Sequence, residues 1–229
     1  MTKFGVLVCF AITLVVLIST VAVFYMMFQQ LSGEIVTRKE WGAREPKLIE
    51  KFKGPAPYVV IHHSYIPAAC YTNDDCNEAM RSMQDFHQLD RGWNDLGYSF
   101  AIGGNGLIYH GRGFNTIGAH APKYNDKSVG ICLIGDWSDE LPPEKMLVAT
   151  KNLIEFGIDK GYIAKDYQLV GHRQVRDTSC PGERLYKEIQ TWKHYVPSPH
   201  YNQDINEIPD SVLNNNTTKS TTTKVVNST

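Results

Sequence analysis

The chain has 229 residues, with 23 Lys and Arg against 24 Asp and Glu and a formal net charge of −1. That length suits one well-packed domain with appendages better than two large domains. Acids and bases are interspersed, so there is neither a basic stripe for nucleic acid nor an acidic solvating tail, and no nucleic-acid partner is expected.

The first feature along the chain is an apolar run at residues 4–28, broken only by Thr13, Ser19, Thr20 and a few small residues. It can cross a bilayer, and it exceeds the ~7–15 residue apolar core of a signal peptide. Leu31-Ser32-Gly33 offers a cleavage site. Residues 1–33 are therefore read as a signal peptide or a signal-anchor, with membrane anchoring through residues 4–28 slightly favoured. Either reading makes the remainder extracellular, secreted or held outside the membrane. Only a few residues precede the run, which leaves no room for a cytoplasmic signalling domain.

Residues 34–199 read as a single folded unit. PYVVIHH at 57–63 is a short β-rich apolar run and predicts a buried strand. Residues 75–89 predict a helix with Ala79, Met80, Met83, Phe86 and Leu89 on one face. Strands at 98–102 and 107–109 are joined by a glycine-rich turn, and 128–134 is a further apolar strand. Pro142 and Pro143 open a helix reaching residue 160, in which Met146, Leu147, Leu153, Ile154 and Ile158 recur at helical spacing. A short strand at 168–170 leads to His172, and a helix at 183–192 closes the domain. Strands interleaved with helices define an α/β domain with a central mixed β-sheet flanked by helices. Residues 200–229 are rich in Asn, Thr and Ser and are expected to be disordered; Asn215, Asn216 and Asn227 each begin a glycosylation acceptor.

Export governs how the cysteines are read. Cys9 lies in the apolar run, and Cys70 and Cys76 share a polar loop short enough to close as a disulfide. Cys132 sits in an apolar stretch, where a cysteine is by default a small buried hydrophobe. Cys180 is left either to pair with Cys132 or to coordinate a metal. With His62 and His172 it forms a set of imidazole and thiolate donors suited to zinc, and three protein ligands with one open position is the catalytic arrangement. Side chains alternate along a strand, so His62 and His63 face opposite ways and only one can reach such an ion. Spacing alone is weak here, because a histidine followed eight residues later by a cysteine is no tight zinc signature.

Longer motifs carry more. EWGAR at 40–44, VIHHS at 60–64, DLGYSF at 95–100, GRGFN at 111–115, GAH at 118–120, and GHR at 171–173 followed by DTSCPG at 177–182 resemble the peptidoglycan recognition proteins of animals. That family is related to bacterial and phage zinc N-acetylmuramoyl-L-alanine amidases. The likeness spans the whole folded unit in order. It implies an amidase domain with Zn2+ held by His62, His172 and Cys180. Binding-only relatives commonly carry serine at the cysteine position, so Cys180 argues for an enzyme. Tyr98 matches the catalytic tyrosine. Thr178 stands where phage relatives have a lysine, and it can donate a hydrogen bond but supplies no charge.

The resemblance further implies hydrolysis of the amide between the lactyl group and L-alanine of bacterial peptidoglycan, dampening immunity by destroying the elicitor. Gly92, Trp93 and Arg112 resemble the positions that favour diaminopimelate over lysine in the stem peptide: Gly92 leaves room, Trp93 gives a wall, and Arg112 gives a guanidinium for the extra carboxylate. His63 and His120 are further candidate substrate contacts. Two alternatives from other classes stand beside the amidase. One is a non-catalytic peptidoglycan-binding receptor; the other is a cysteine hydrolase using Cys180 with a histidine base.

Overall fold

The computed structural model describes residues 35–198. The apolar run with Cys9, the N-terminal segment 1–33, and the tail 200–229 with its three glycosylation acceptors lie outside the described residues. Among the described residues, no helix is long and apolar enough to cross a membrane.

The elements follow in the order β1 (Ile35–Val36), β2 (Ala56–His63), α1 (Asn73–Asp85), β3 (Phe100–Ile102), β4 (Ile108–His110), β5 (Ser128–Leu133), α2 (Glu144–Asp159), β6 (Ile163–Gly171) and α3 (Glu183–Ile189). The strands form one six-stranded sheet in the order β1-β4-β3-β5-β2-β6. The β3–β4 hairpin pairs antiparallel and the other neighbours pair parallel, so the sheet is mixed, as the alternation of strand and helix patterns implies. β2 lies between β5 and β6, which explains its nearly unbroken apolar run: a central parallel strand is covered on both faces.

The two-residue alternation of β2 divides the core. Val59 and Ile61 pack with Phe100, Ile131, Met146, Leu153 and Leu185, under α2 and α3. Tyr58 and Val60 face the other way with Tyr124 and Val170. That same side carries α1, whose Ala79, Met80 and Met83 pack with Ala101, Tyr109 and Cys132. The Cys70–Cys76 disulfide forms with Cα atoms 5.1 Å apart and ties the preceding loop to the first turns of α1. Thr72 caps that helix by accepting the Asp75 N–H at 3.2 Å, and Asp74 and Asp75 complement the helix dipole.

Three expectations are corrected. The helical face ending in Phe86 and Leu89 is interrupted, because α1 gives way to a single π-helical turn over Phe86–Asp90, closed by the Arg91 N–H on the Phe86 carbonyl at 3.0 Å. The wider turn rotates the later side chains, leaving Phe86 and Leu89 45% and 64% exposed while His87 and Gln88 turn inward. β6 begins at Ile163, where the exposed Lys165 and Asp166 hide a strand from an apolar count. The last helix ends at Ile189, short of Trp192. The two-residue β1 is too short to leave a periodic signal.

Candidate active site

The carboxyl ends of two adjacent parallel strands build the site. His62 is the penultimate residue of β2, and His172 follows the last residue of β6, where a 3-10 turn over His172–Gln174 begins. The loop after that turn returns to the sheet, and the Arg173 N–H on the Cys180 carbonyl, 2.8 Å, brings Cys180 back beside His172. Donor atoms of His62, His172 and Cys180 all lie within 4.8 Å of one another. Cys132 and Cys180 are both free thiols, so the alternative pairing between them is not formed.

The hydrogen bonds decide which nitrogen of His62 faces this cluster. Ser128 Oγ donates to the Tyr124 carbonyl at 2.6 Å, leaving its oxygen to accept from His120 Nε2 at 3.4 Å. His120 is then the Nε2–H tautomer, and its Nδ1 accepts from His62 Nε2 at 3.0 Å. His62 Nδ1 is left as a lone pair 3.8 Å from Cys180 Sγ. The far ring nitrogen of a histidine sets the tautomer of the near one, a common arrangement behind metal-ligating imidazoles. Room for the relay comes from Gly130, where an added Cβ would lie 2.5 Å from the His120 ring.

The residues present fit a cation. His172 Nε2 is buried without a hydrogen-bond partner. Burial foremost, then His172, His120 and His63, holds His62 well below the ordinary histidine value. Burial also lowers His172 to about 4, with help from Arg176 and His63. Both imidazoles are therefore neutral, the form that coordinates metal. Cys180 accepts the His63 backbone N–H at 3.4 Å, yet burial pushes its thiol up to about 12. A divalent ion held by His62, His172 and Cys180 would favour the thiolate; without one the sulfur is a poor nucleophile at neutral pH.

A cleft of about 1030 Å3 opens above these three residues, and His62, His172, Tyr98, Trp93, His120 and Thr178 line it. Tyr98 lies beside His62, with ring centroids 5.3 Å apart, and packs against the buried cluster that contains Cys132. Burial, then the Cys132 and Cys180 sulfurs, raise the Tyr98 hydroxyl well above its usual value, so it stays a proton donor. Thr178 Oγ1 accepts the Cys180 N–H at 3.2 Å, which leaves the hydroxyl proton to point elsewhere.

Three expected substrate contacts are not among the cleft-lining residues. His63 points to the opposite face of the sheet, where Nδ1 accepts the Trp137 N–H at 3.3 Å. Asp136 lies 3.6 Å from that nitrogen, but burial outweighs it and lowers His63 to about 4, so no ion pair forms at neutral pH. Gly92 has open space around it, and its φ of +69° is what calls for glycine. Arg112 has its guanidinium turned to the carbonyls of Leu96, Ile117 and Asp95 at 2.6, 2.8 and 3.4 Å. It lines a second cavity of about 230 Å3 with Asp95 and His110, and its charge acts on His120 and His87. Conversely, composition gave no signal for Ser128, whose role depends on contacts between distant segments.

A family model described as N-acetylmuramoyl-L-alanine amidase matches residues 52–183. With that match, the fold and the site, the chain belongs to the N-acetylmuramoyl-L-alanine amidase family, in its peptidoglycan recognition protein branch. It is 67% identical over 165 residues to peptidoglycan-recognition protein LB of Drosophila melanogaster, covering 72% of this chain and 71% of that protein. A solved structure of a tyrosine-to-phenylalanine mutant of Drosophila PGRP-LB in complex with tracheal cytotoxin aligns with a TM-score of 0.70 at 68% identity, covering 71% of this chain and 96% of that one. Peptidoglycan recognition protein-LE, solved in complex with tracheal cytotoxin, a monomeric diaminopimelic acid-type peptidoglycan, aligns with a TM-score of 0.69 at 41% identity, covering 71% of this chain and 95% of that one.

Proposed function

We propose that this chain is an extracellular zinc amidase that hydrolyses the lactyl–L-alanine amide of diaminopimelate-type peptidoglycan. The observation that carries this is the convergence of His62, His172 and Cys180 at the base of an open cleft. Two neutral imidazoles and a cysteine that would bind as thiolate, its proton lost to solvent, are the donor set of a catalytic zinc site. Zinc, when bound, supplies Lewis acidity toward a water and the scissile carbonyl at neutral pH. Ser128 and His120 hold His62 in the coordinating tautomer. Tyr98, kept protonated chiefly by burial, donates a hydrogen bond to the oxygen on which negative charge develops. Thr178 holds the Cys180 loop and offers a second donor.

The diaminopimelate preference is supported by the two relatives solved with tracheal cytotoxin. Trp93 walls the cleft, and Arg112 adds positive potential near His120. Separating sugar from peptide destroys the kind of fragment such relatives bind, which is the basis for an immune-dampening role. Residues 1–33, as signal peptide or anchor, 34–199 as the amidase domain and the tail at 200–229 complete the proposed organisation.

The test is mass analysis after incubating purified diaminopimelate-type peptidoglycan with the protein. Intact glycan and free peptides beginning with L-alanine are expected, lost with a chelator and restored by zinc. Undiminished release from protein stripped of metal refutes the reading.

A further inference from the structure

We infer that the loop between β2 and α1 is a glycan subsite, in which Ile66 and Tyr65 present an apolar platform to successive sugars on the lactyl side of the scissile amide; this rests on the amidase reading above. Just beyond His62 and His63, the chain leaves the sheet and puts two large apolar side chains into solvent. Ile66 is 76% exposed and Tyr65 60%. Ser64, Ile66 and Pro67 line the cleft itself. Tyr65 stands beside them at the rim, its ring centroid 5.9 Å from that of His63. The apolar surface is therefore continuous with the catalytic cleft.

The loop is rigid and locally strained. Tyr65 has a φ of +60°, a conformation that a bulky side chain adopts only when its surroundings impose it. Here a ring of hydrogen bonds does so. The Tyr65 N–H donates to the Gly135 carbonyl at 3.0 Å, and the Gly135 N–H donates back to Ser64 Oγ at 2.7 Å. Ser64 Oγ donates in turn to the Pro67 carbonyl at 2.8 Å, and the Cys70–Cys76 disulfide closes the far end. Packing could offset the strain if it buried the ring, yet Tyr65 keeps its ring in water. Exposure is thus what the loop maintains, and an apolar face already fixed in place loses little entropy when a ligand covers it.

The occupant follows from how the substrate is joined. Its scissile amide has the stem peptide on one side and the lactyl ether of a hexosamine on the other. Trp93, on the wall proposed for the stem, follows the π-helical turn that ends α1, whereas the loop at 64–72 precedes the first turn of that helix. α1 lines the cleft between them through Glu78, Arg81, Ser82 and Asp85, and the helix is about 20 Å long. With the amide at the metal ligands and the stem toward Trp93, the sugars leave toward Ile66. A hexosamine suits this surface, because its carbon–hydrogen face is apolar while hydroxyl and acetamido groups ring the edge. Ile66 meets the sugar that bears the lactyl group, and Tyr65, farther out, stacks on the next. A tyrosine offers such area at little entropic cost and keeps its hydroxyl in water.

The experiment compares wild type with Tyr65→Asn, Tyr65→Phe and Ile66→Ser on three diaminopimelate substrates that share the scissile bond. One is a disaccharide tripeptide, one a muramyl tripeptide, and one a lactyl tripeptide without sugar. Asparagine tolerates the left-handed backbone, so Tyr65→Asn removes the ring and spares the loop. Its kcat/KM should fall about 4- to 12-fold on the disaccharide, the value of half-covering one aromatic side chain, and under about twofold on the other two. Ile66→Ser should lose on both sugar-bearing substrates and spare the lactyl tripeptide, and Tyr65→Phe should match wild type. Equal losses on all three substrates would show a structural defect and overturn the subsite, as would an undiminished rate of Tyr65→Asn on the disaccharide. A Tyr65→Phe variant as defective as Tyr65→Asn would also overturn it, because the hydroxyl rather than stacking would then carry the contact. So would Tyr65-dependent sedimentation with phosphatidylglycerol vesicles at unchanged turnover, which assigns the platform to lipid. Tyr65-dependent binding of the disaccharide substrate in calorimetry, with none of the three substrates cleaved, upholds the platform and sinks the amidase reading.

Discussion

Replacing His120 with alanine should weaken zinc binding without touching any ligand atom. The substitution removes the acceptor that His62 Nε2 meets at 3.0 Å. Its N–H is then left without a fixed partner at the base of the cleft, and the competing tautomer, with the proton on Nδ1, becomes accessible. An orphaned buried donor costs about 1–3 kcal/mol, and loss of the partner behind a metal-ligating histidine typically costs about 10–100-fold in affinity. His120 lines the cleft, so water recovers part of this, and roughly 10–30-fold is expected, toward the low end of that range. Ser128→Ala acts one bond further back, through a 3.4 Å contact, and should cost under about fivefold. Gly130→Ala gives an independent route. Its new Cβ would crowd the His120 ring at 2.5 Å and displace it with the imidazole still present. Competition against a chromogenic chelator measures all three, with far-UV circular dichroism reporting that each variant is folded. A His120→Ala protein that binds zinc as tightly as wild type would refute the relay. So would a Ser128→Ala protein that loses more than His120→Ala.

Cys180→Ser should abolish cleavage while retaining much peptidoglycan binding, because serine is a poor zinc ligand at neutral pH; full turnover in that variant would remove Cys180 from the metal site. Tyr98→Phe should lower kcat by about 100–1000-fold with little change in KM, the range for loss of an oxyanion donor, and a change confined to KM would reassign the residue to binding. His87 titrates from 6.5 unfolded to about 4 folded, chiefly through burial. The unfolded chain thus binds more protons between these values, and a contribution on the order of 3 kcal/mol, complete above 6.5, is lost as pH falls toward 4. His87→Gln, whose amide oxygen can still accept the Gly97 N–H, should lessen the pH slope of the denaturant midpoints over that range, the other buried histidines supplying the rest, and an unchanged slope would exclude His87 as a source.

Legibility from sequence followed how local the determining contacts were. β2 and β5 were readable because a central parallel strand must be apolar throughout, and α2 because one apolar face repeats over four turns. The π-helical turn was not, because its residues continue the α-helical pattern and only the Arg91 N–H on Phe86 reveals the change of pitch. The same distinction runs through the site. His62, His172 and Cys180 were legible as donor types and through their motifs. The tautomer of His62 was not, because it is fixed by Ser128 and His120 from other segments. Arg112 shows the reverse case. Its residue type suggests an available charge, but the nearby carbonyls of Leu96 and Ile117 take its N–H groups.

The cysteine-hydrolase alternative is separated from the metal reading by the environment of Cys180. A thiol-dependent mechanism needs a thiolate beside an imidazolium, so the site must stabilise both charges. Here burial raises the thiol to about 12 and holds the facing His62 far below neutral. Both halves of the ion pair are disfavoured, and among the described residues no carboxylate bonds to His62 to orient it as a base, its Nε2 being bonded to His120. His62, His172 and Cys180 would instead suit a divalent cation, which would compensate the thiolate and accept the lone pairs of two neutral imidazoles together. The same low-dielectric surroundings that oppose a catalytic thiolate therefore favour coordination. Alkylation supplies the contrast: a metal-free sample should react slowly with iodoacetamide at neutral pH, and zinc should not accelerate it. Rapid labelling of Cys180 in the metal-free protein would restore the nucleophile reading.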